Sequence, residues 1–265
     1  MTFDLDAYLS RIGVSTRGGP TPATLDALIW GHLRAIPFEN LDIVLGRPIK
    51  IDLHSVATKL VTARRGGYCF EHNTLFAEVL RAHGFEVTAL AARVRWGAAG
   101  PTPRTHMFLE VVVDGRPQLV DVGFGGTCPT RAVPMQPGVY ESRHGRLRLR
   151  DDAGFIALDA EAKAEWEPLY MFTREPHHPI DFEVANHYTS THPQSRFTLG
   201  PSVALTTDTG RITYRAGEFT ERVGDRVTTT AVTTASQLLD VLGKRFELVF
   251  PPHTQFIGGP TESPL

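Results

Sequence analysis

The chain has only two cysteines, Cys69 and Cys128, among its 265 residues. Two cysteines form at most one disulfide, which excludes a small scaffold held together by several such bridges. An excess of positive charge is also missing, because the formal net charge is -2 and the basic residues are scattered along the chain. A nucleic-acid partner is therefore not expected. No stretch reaches the roughly 18 consecutive apolar residues of a membrane span, so no membrane partner is expected either.

The first 13 residues, MTFDLDAYLSRIG, are acidic and amphipathic, whereas a signal peptide begins with basic residues and continues with an unbroken apolar run. This segment and the scarcity of cysteine favour a cytoplasmic protein. Hydrophobic residues make up 42% of the chain and charged residues 21%, as in ordinary soluble proteins. A chain of this length and composition can bury a sizeable core.

Four helices are predicted in residues 1–85, where apolar residues recur at helical spacing. Asp4 is placed to cap the first helix and Gly13 to end it. The predicted helices span residues 4–13, 21–36, 52–64 and 69–84. We interpret this part of the chain as a helical bundle.

Beyond Phe85 apolar and polar residues alternate, which is typical of strands. The predicted strands span residues 86–94, 105–113, 118–122, 146–150, 155–158 and 170–173. They indicate a mostly antiparallel sheet, either a barrel or a sandwich, within residues 86–200. Residues 201–265 form a third, mixed subdomain, after a possible short helix near 182–188. It has strands between 202 and 232, a closing helix over 236–246, and a loosely held tail from Pro251.

Cys69 follows a basic, glycine-containing turn and falls in the first turn of the fourth predicted helix. At that position the unpaired backbone N–H groups and the positive end of the helix dipole favour a thiolate over a thiol. Cysteine is also among the residue types most often buried and inert. Position alone therefore leaves both a reactive and a structural Cys69 open.

A hairpin is predicted around Asp114-Gly115. If these two residues form the whole turn, residues paired across it have numbers that sum to 229. His106 and Asp121 are then diagonal neighbours on one face, roughly 7 to 8 Å apart at the backbone. An aspartate so placed can fix the histidine tautomer and leave the other ring nitrogen to hold a thiolate. A loop of three or five residues would put the pair on opposite faces.

Each of these residues also has a structural interpretation. His106 can be a hydrogen-bonded histidine of the sheet, and Asp121 can cap the end of a strand. The glycine-rich residues 123–126 could bring backbone N–H groups against a phosphate or an acyl oxygen, but a tight turn explains them equally well.

Four strings of residues, in order along the chain, resemble the motifs of the arylamine N-acetyltransferases. They are Ile36-Pro37-Phe38-Glu39-Asn40, Arg65-Gly66-Gly67-Tyr68-Cys69-Phe70-Glu71-His72-Asn73, Thr105-His106 and Asp121-Val122-Gly123-Phe124-Gly125-Gly126. The resemblance runs from Asp4 to about Phe246 and is densest between His32 and Gly126.

The resemblance implies an α+β fold with an N-terminal helical bundle, a central antiparallel β-barrel and a C-terminal α/β lid. At its centre is a cysteine-protease-like core with Cys69, His106 and Asp121 as catalytic residues. Acetyl-coenzyme A is the implied co-substrate. Cys69 takes its acetyl group, and an arylamine or hydrazine then receives that group from the enzyme.

Further site residues are implied by the same resemblance. Glu39 and Arg64 look like the buried ion pair that supports the nucleophile turn, and the N–H of Phe70 looks placed to hold a developing oxyanion. Five residues are similar to positions that contact the coenzyme: Thr105, Phe124, Gly125, Gly126 and His192.

Thiolate chemistry on a thioester needs no metal. Four later histidines match no common metal-site spacing and are interpreted as loop residues: His177, His178, His187 and His192. Two other functions stay open. A thiol hydrolase of the papain or transglutaminase type shares the order Cys, His, Asp, and a non-catalytic protein with this fold could bind coenzyme A or an aromatic ligand.

Overall fold

The first third of the chain is helical in the computed structural model, which describes residues 3–15 and 18–261. The helices there are α1 (Leu5–Ile12), α2 (Pro22–Ala35), α3 (Leu41–Val44), α4 (Leu53–Ala57) and α5 (Cys69–Ala82). Asp4 accepts a hydrogen bond from the Ala7 N–H at 3.0 Å, and Gly13 ends α1 with a φ of 67°. The predicted start and end of this helix are confirmed. Within the described residues, no helix is both long and apolar enough to cross a membrane.

The helix predicted over residues 52–64 is wrong at its end. After α4 the chain continues as one π-helical turn, Thr58–Thr62, and Arg64 has a φ of 52°. The chain therefore leaves helical geometry before the predicted end. The short α3 and the two-residue strand before it, β1 (Phe38–Glu39), escape prediction because such short elements show no periodicity.

Eight strands form one antiparallel sheet that curls into a nearly closed barrel. They are β2 (Glu86–Val94), β3 (Arg104–Val113), β4 (Arg116–Val120), β5 (Val133–Pro134), β6 (Gly138–Ser142), β7 (Gly145–Asp152), β8 (Phe155–Ala162) and β9 (Glu165–Phe172). Their order is β5-β4-β3-β2-β9-β8-β7-β6. Buried side chains such as Leu90, Phe108 and Leu158 fill the interior. The antiparallel sheet is confirmed, although β4 lies two residues earlier than predicted, so that Asp121 follows the strand.

The hairpin between β3 and β4 has the predicted register. Leu109 pairs with Val120, and Asp114 and Gly115 have φ values of 50° and 71°. Two consecutive positive φ angles are typical of a type I′ turn, which aspartate and glycine adopt more readily than most residues. The two-residue turn inferred from the sequence is confirmed.

A second antiparallel sheet has the order β1-β10-β11-β12-β13. Four of its strands come late in the chain: β10 (Ser202–Thr206), β11 (Gly210–Arg215), β12 (Glu218–Val223) and β13 (Arg226–Ala231). The remaining helices are α6 (Pro179–Thr191), before these strands, and α7 (Ala235–Phe246), after them. Although they come early in the sequence, β1 pairs with β10 of this sheet, and Leu41 and Val44 of α3 pack in the core beside it. The division of the chain at residues 85 and 200 stays a prediction.

The chain after α7 packs against the core. Phe256 is buried beside the second sheet, and the Ile257 N–H donates to the Val44 carbonyl at 2.9 Å. The prediction of a loosely held tail is therefore wrong for residues 251–261. Residues 262–265 lie outside the described residues.

Two glycines let the turn before α5 approach its neighbours closely. A Cβ on Gly66 would overlap the Pro37 carbonyl oxygen, and a Cβ on Gly67 would lie 2.7 Å from Glu71 Oε2. The Glu39 N–H also donates to the Gly67 carbonyl at 2.7 Å. These contacts fix where α5 begins.

A buried ion network fastens the same turn to β1 and α3. Arg65 Nη2 lies 2.6 Å from Glu39 Oε1 and 3.3 Å from Asp42 Oδ1. Lys59 Nζ lies 2.8 Å from both Asp42 Oδ2 and Glu71 Oε1. Three carboxylates thus share two cations. Burial outweighs the opposing charge of Lys59 and raises the pKa of Glu71 to about 7.

The expected pairing of Glu39 with Arg64 is wrong. Arg64 is exposed, and its guanidinium lies 3.4 Å from Glu247 Oε2. Arg65 is 14% exposed and makes the pair with Glu39. The physical reason is the π-helical turn and the positive φ of Arg64. Together they redirect the backbone so that Arg65, not Arg64, faces inward.

A chain of hydrogen bonds crosses the helical core. Tyr8 Oη lies 2.8 Å from His32 Nδ1, and His32 Nε2 lies 2.7 Å from His72 Nδ1. His72 Nε2 is 3.1 Å from the Pro37 carbonyl oxygen. A carbonyl only accepts, so His72 donates at Nε2 and accepts at Nδ1, and His32 has the same tautomer. Both rings are neutral, because burial lowers the pKa of His72 to about 4 and lowers the pKa of His32 well below its usual value.

Arg65→Met and Arg64→Met form a matched pair of variants. We expect Arg65→Met to lower the free energy of unfolding by about 3 to 5 kcal/mol, because Glu39 is left buried without its partner. Arg64→Met should change it by less than about 0.5 kcal/mol, as for other exposed positions. Urea unfolding at pH 7 measures both. Equal losses in the two variants would contradict the assignment of the buried pair to Arg65.

Candidate active site

Cys69 is the first residue of α5 and is buried, with 3% of its surface exposed. The start of the helix is held by Glu71, whose Oε2 accepts from the Tyr68 N–H at 3.0 Å. The thiol sulfur lies 3.7 Å from the Thr105 carbonyl oxygen on β3. The predicted position of the cysteine at a helix N-terminus is confirmed, and the helix meets the barrel at this point.

His106 and Asp121 lie side by side on the face of the barrel that meets Cys69. His106 Nε2 is 2.7 Å from Asp121 Oδ2, and both side chains are buried. Cys69 is near enough to the imidazole to help raise the pKa of His106. The hairpin register thus brings His106 and Asp121 together, and the start of α5 places Cys69 against the same part of the barrel.

The electrostatics of the pair favour a charged imidazole. Burial by itself lowers the pKa of His106. The negative charge of Asp121 and its hydrogen bond to the ring outweigh burial, and Cys69 acts in the same direction, so the pKa rises to about 10. Burial raises the pKa of Asp121, but His106 and further hydrogen bonds outweigh this and lower it. At neutral pH the site thus holds an imidazolium between a carboxylate and the sulfur.

Asn73 connects Cys69 to Asp121 and was quoted in the sequence analysis only as part of a motif string. Its Nδ2 lies 2.8 Å from the Met107 carbonyl, 3.3 Å from the Cys69 carbonyl and 3.2 Å from Asp121 Oδ1. Its place four residues after Cys69, on the same helix face, is the sequence signal that could have identified it.

Gly123 allows the loop after Asp121 to touch the start of α5. A Cβ at this position would lie 2.7 Å from Cys69 Cα and 2.7 Å from Asn73 Nδ2. The Gly123 N–H donates to Asp121 Oδ1 at 2.9 Å. Glycine is therefore required here by close approach, because any side chain would push the aspartate and the cysteine apart.

Cys69 and His106 open onto a cleft of about 810 Å³ between the barrel, the segment after α6 and the second sheet. The cleft is also lined by four of the residues expected to contact a coenzyme: Thr105, Phe124, Gly125 and Gly126. His192 is not among the lining residues. It ends α6 and stacks on Tyr188, which does line the cleft, with ring centroids 4.4 Å apart.

The other predicted site residues lie behind the cleft. Glu39 belongs to the buried ion network, and the Phe70 ring packs inside the helical core beside Tyr68 and Phe182. Cys128 is a free thiol like Cys69, and its sulfur accepts from the Phe124 N–H at 2.9 Å. Burial raises the pKa of the Cys128 thiol well above its usual value, which suits a packing role.

In the part of the chain that the structure describes, no cluster of three or more His, Cys, Asp or Glu side chains is arranged to hold a metal ion. The cleft presents the Cys69 thiol and the charged His106 imidazole, and the start of α5 provides backbone N–H groups next to Cys69. This set can supply a sulfur nucleophile, a proton donor and acceptor, and hydrogen bonds to an acyl oxygen.

Comparison with known proteins gives a consistent result. A family profile described as N-acetyltransferase matches residues 21–254. The arylamine N-acetyltransferase of Mycolicibacterium smegmatis is 42% identical over 254 residues, which cover 93% of this chain and 92% of that protein. The arylamine N-acetyltransferase / N-hydroxyarylamine O-acetyltransferase of Salmonella typhimurium is 38% identical over 74% of this chain and 71% of that protein.

Solved structures agree with this result. The arylamine N-acetyltransferase of M. smegmatis superposes with a TM-score of 0.90 at 41% identity, and 93% of each chain is covered. The Mycobacterium marinum enzyme in complex with CoA superposes with a TM-score of 0.89 at 36% identity, over 92% of this chain and 93% of that one. Because sequence and fold match over nearly the whole length, the chain belongs to the arylamine N-acetyltransferase family.

Proposed function

We propose that this protein transfers an acetyl group from acetyl-coenzyme A to arylamines and arylhydrazines through an acetyl-Cys69 intermediate. The observation that carries the proposal is the contact of a buried cysteine at a helix start with the His106–Asp121 pair, inside a cleft. One member of the family, from M. marinum, is described in complex with CoA, which supports coenzyme A as the donor.

In the first half-reaction the Cys69 sulfur attacks the thioester carbonyl. The charged His106 stabilises a thiolate at that sulfur, and the N-terminus of α5 adds the positive end of its dipole. The tetrahedral intermediate collapses with loss of coenzyme A thiolate, which takes the proton from His106. The acetyl group is then a thioester of Cys69, so little free energy is lost in the exchange.

In the second half-reaction the acceptor nitrogen attacks the acetyl carbon. His106, now neutral, accepts a proton from the attacking amine, and Cys69 leaves as the thiolate that begins the next cycle. Asp121 keeps the ring oriented through Nε2 and stabilises its charged form in both half-reactions.

Several neighbouring groups take supporting roles in this proposal. The backbone N–H of Phe70, next to Cys69 at the start of α5, is a candidate donor to the oxyanion. Glu39 supports the turn before α5 together with Arg65, which replaces Arg64 in that role. Coenzyme contacts are proposed for the cleft residues Thr105, Phe124, Gly125 and Gly126, with His192 acting through Tyr188.

The family assignment favours transfer over the two alternatives. A thiol hydrolase would pass its acyl group to water and would not need an amine. A binding protein would need no aligned Cys69, His106 and Asp121.

Incubation with acetyl-coenzyme A alone should yield an acetyl adduct on Cys69, because the first half-reaction requires no amine. Mass spectrometry of the intact chain and of its peptides detects the adduct, which an arylamine should then remove. Cys69→Ser should abolish both the adduct and turnover, whereas Cys128→Ser should retain both. An unmodified wild-type chain would leave only the binding function, and peptide cleavage without coenzyme would favour the hydrolase.

Asp121→Asn should slow acetylation on the order of a hundredfold or more, because the amide keeps the geometry but not the charge that holds His106 protonated. The sign of the pH effect follows from the raised pKa of His106, which is about 10. The charged ring is present below that pH and is lost above it, so alkylation of Cys69 by iodoacetamide should vary little between pH 6 and pH 8 in the wild type. In Asp121→Asn it should rise with pH over this range.

The matched control is Asp114→Asn, the same substitution at the exposed turn of the same hairpin, where asparagine also tolerates a positive φ. Its alkylation profile and acetylation rate should equal those of the wild type. Identical profiles for Asp121→Asn and the wild type would sink the proposed role of the carboxylate.

A further inference from the structure

The cleft that holds Cys69 is lined by arginine but by no acidic residue. Among the described lining residues there are four arginines and neither aspartate nor glutamate; the arginines are Arg196, Arg211, Arg215 and Arg222. The whole chain carries a net charge of -2, so this wall differs in sign from the rest of the molecule. A cleft lined by one sign of charge concentrates ligands of the opposite sign.

Two of these arginines are placed directly opposite each other. Arg211 on β11 pairs with Arg222 on β12, and both side chains are partly buried. Like charges directly opposite on neighbouring strands destabilise a sheet. Burial lowers the pKa of Arg211, and the positive charge of Arg222 lowers it further. The negative charge of Glu167 offsets only part of this decrease.

Neither guanidinium has a carboxylate within ion-pair distance in residues 3–15 and 18–261. Other arginines nearby are compensated. Arg245 lies 3.0 Å from Glu221, which is on the same strand as Arg222, and Arg148 lies 2.6 Å from Asp159 in the barrel. The opposed pair is therefore a repulsive arrangement that a bound anion would relieve.

The rim of the cleft carries the second pair. Arg196 and Arg215 stand over the ring of Trp96, with their Cζ atoms 5.6 Å and 5.7 Å from its centroid. Trp96 is 38% exposed and lines the same cleft. This tryptophan ring and its two neighbouring guanidiniums offer both a flat apolar surface and positive charge.

The arginine pair is connected to the reactive cysteine through the loop after Asp121. A Cβ on Gly123 would lie 2.7 Å from Cys69 Cα, and a Cβ on Gly126 would lie 3.9 Å from Arg211 Cδ. The three residue steps from Gly123 to Gly126 span at most about 11 Å. The arginines thus line the same cleft as the sulfur.

We propose that Arg211 and Arg222 form a phosphate subsite that holds the phosphorylated adenosine end of the acyl donor, with Arg196 and Arg215 extending it at the rim. The assignment rests on the proposed function. Coenzyme A carries phosphates on its adenosine end, and Arg211 and Arg222 line the cleft that also holds Cys69. An acceptor amine must bring its nitrogen to the acetyl carbon, and an arylamine or hydrazine has no phosphate to offer.

Guanidinium and phosphate match in charge and in bidentate hydrogen-bond geometry. Arg222→Gln and Arg211→Gln should each raise KM for acetyl-coenzyme A about tenfold, the effect of losing one charged hydrogen bond. Acetylation of Cys69 by p-nitrophenyl acetate, which has no phosphate, should be unchanged and also reports correct folding. Arg226→Gln on the exposed strand β13, outside the cleft lining, is the matched control and should alter neither reaction.

Two further measurements separate the outcomes. Adenosine 3′,5′-bisphosphate should compete with acetyl-coenzyme A in the wild type and less well in Arg222→Gln, and higher ionic strength should weaken this competition. If KM for acetyl-coenzyme A stays at the wild-type value while that of a carboxylated arylamine rises, the subsite serves an anionic acceptor and the proposal is overturned. If the wild type is acetylated by neither donor, the proposed function itself fails, and the subsite fails with it.

Discussion

The active site depends on one buried ion pair, the 2.7 Å contact between His106 and Asp121. Removing a charged imidazole and a carboxylate from water is costly, and their attraction compensates only when the remaining hydrogen bonds are made. Asn73 and the Gly123 N–H supply two of these bonds to Asp121. Cys69 also raises the pKa of His106, so the sulfur is part of the electrostatic balance that keeps the pair charged.

Each element around this pair can be understood by how it keeps the three side chains in contact. The type I′ turn sets the strand register that places His106 and Asp121 on one face. The ion network around Arg65 holds the turn that precedes Cys69. Helix and barrel meet where Gly123 has no side chain, so their separation is set by direct contact of backbones.

Local chemistry made much of this predictable from the sequence. Helix caps, the Asp-Gly turn and the position of the cysteine at a helix start are each decided by a few neighbouring residues. The residues found there are those with a known preference for caps and turns. The pairing of Glu39 with Arg65 could not be predicted, because it depends on a π-helical turn that leaves no periodic signal. The pairing of β1 with β10 and the burial of Phe256 join parts of the chain that are far apart in sequence, where single-residue patterns carry no information.

The hydrogen-bonded chain from Tyr8 through His32 and His72 to Pro37 has a single polarity, since every proton in it points toward the Pro37 carbonyl. An excess proton on His72 would occupy Nδ1 and face the N–H that His32 presents at Nε2, so two donors would meet and this link would break. The same carbonyl also accepts from the Gly67 N–H at 3.3 Å, two residues before the nucleophile. Protonation of His72 would therefore disrupt one of the contacts behind the catalytic turn, which ties the active site to acidity through a residue that never meets substrate.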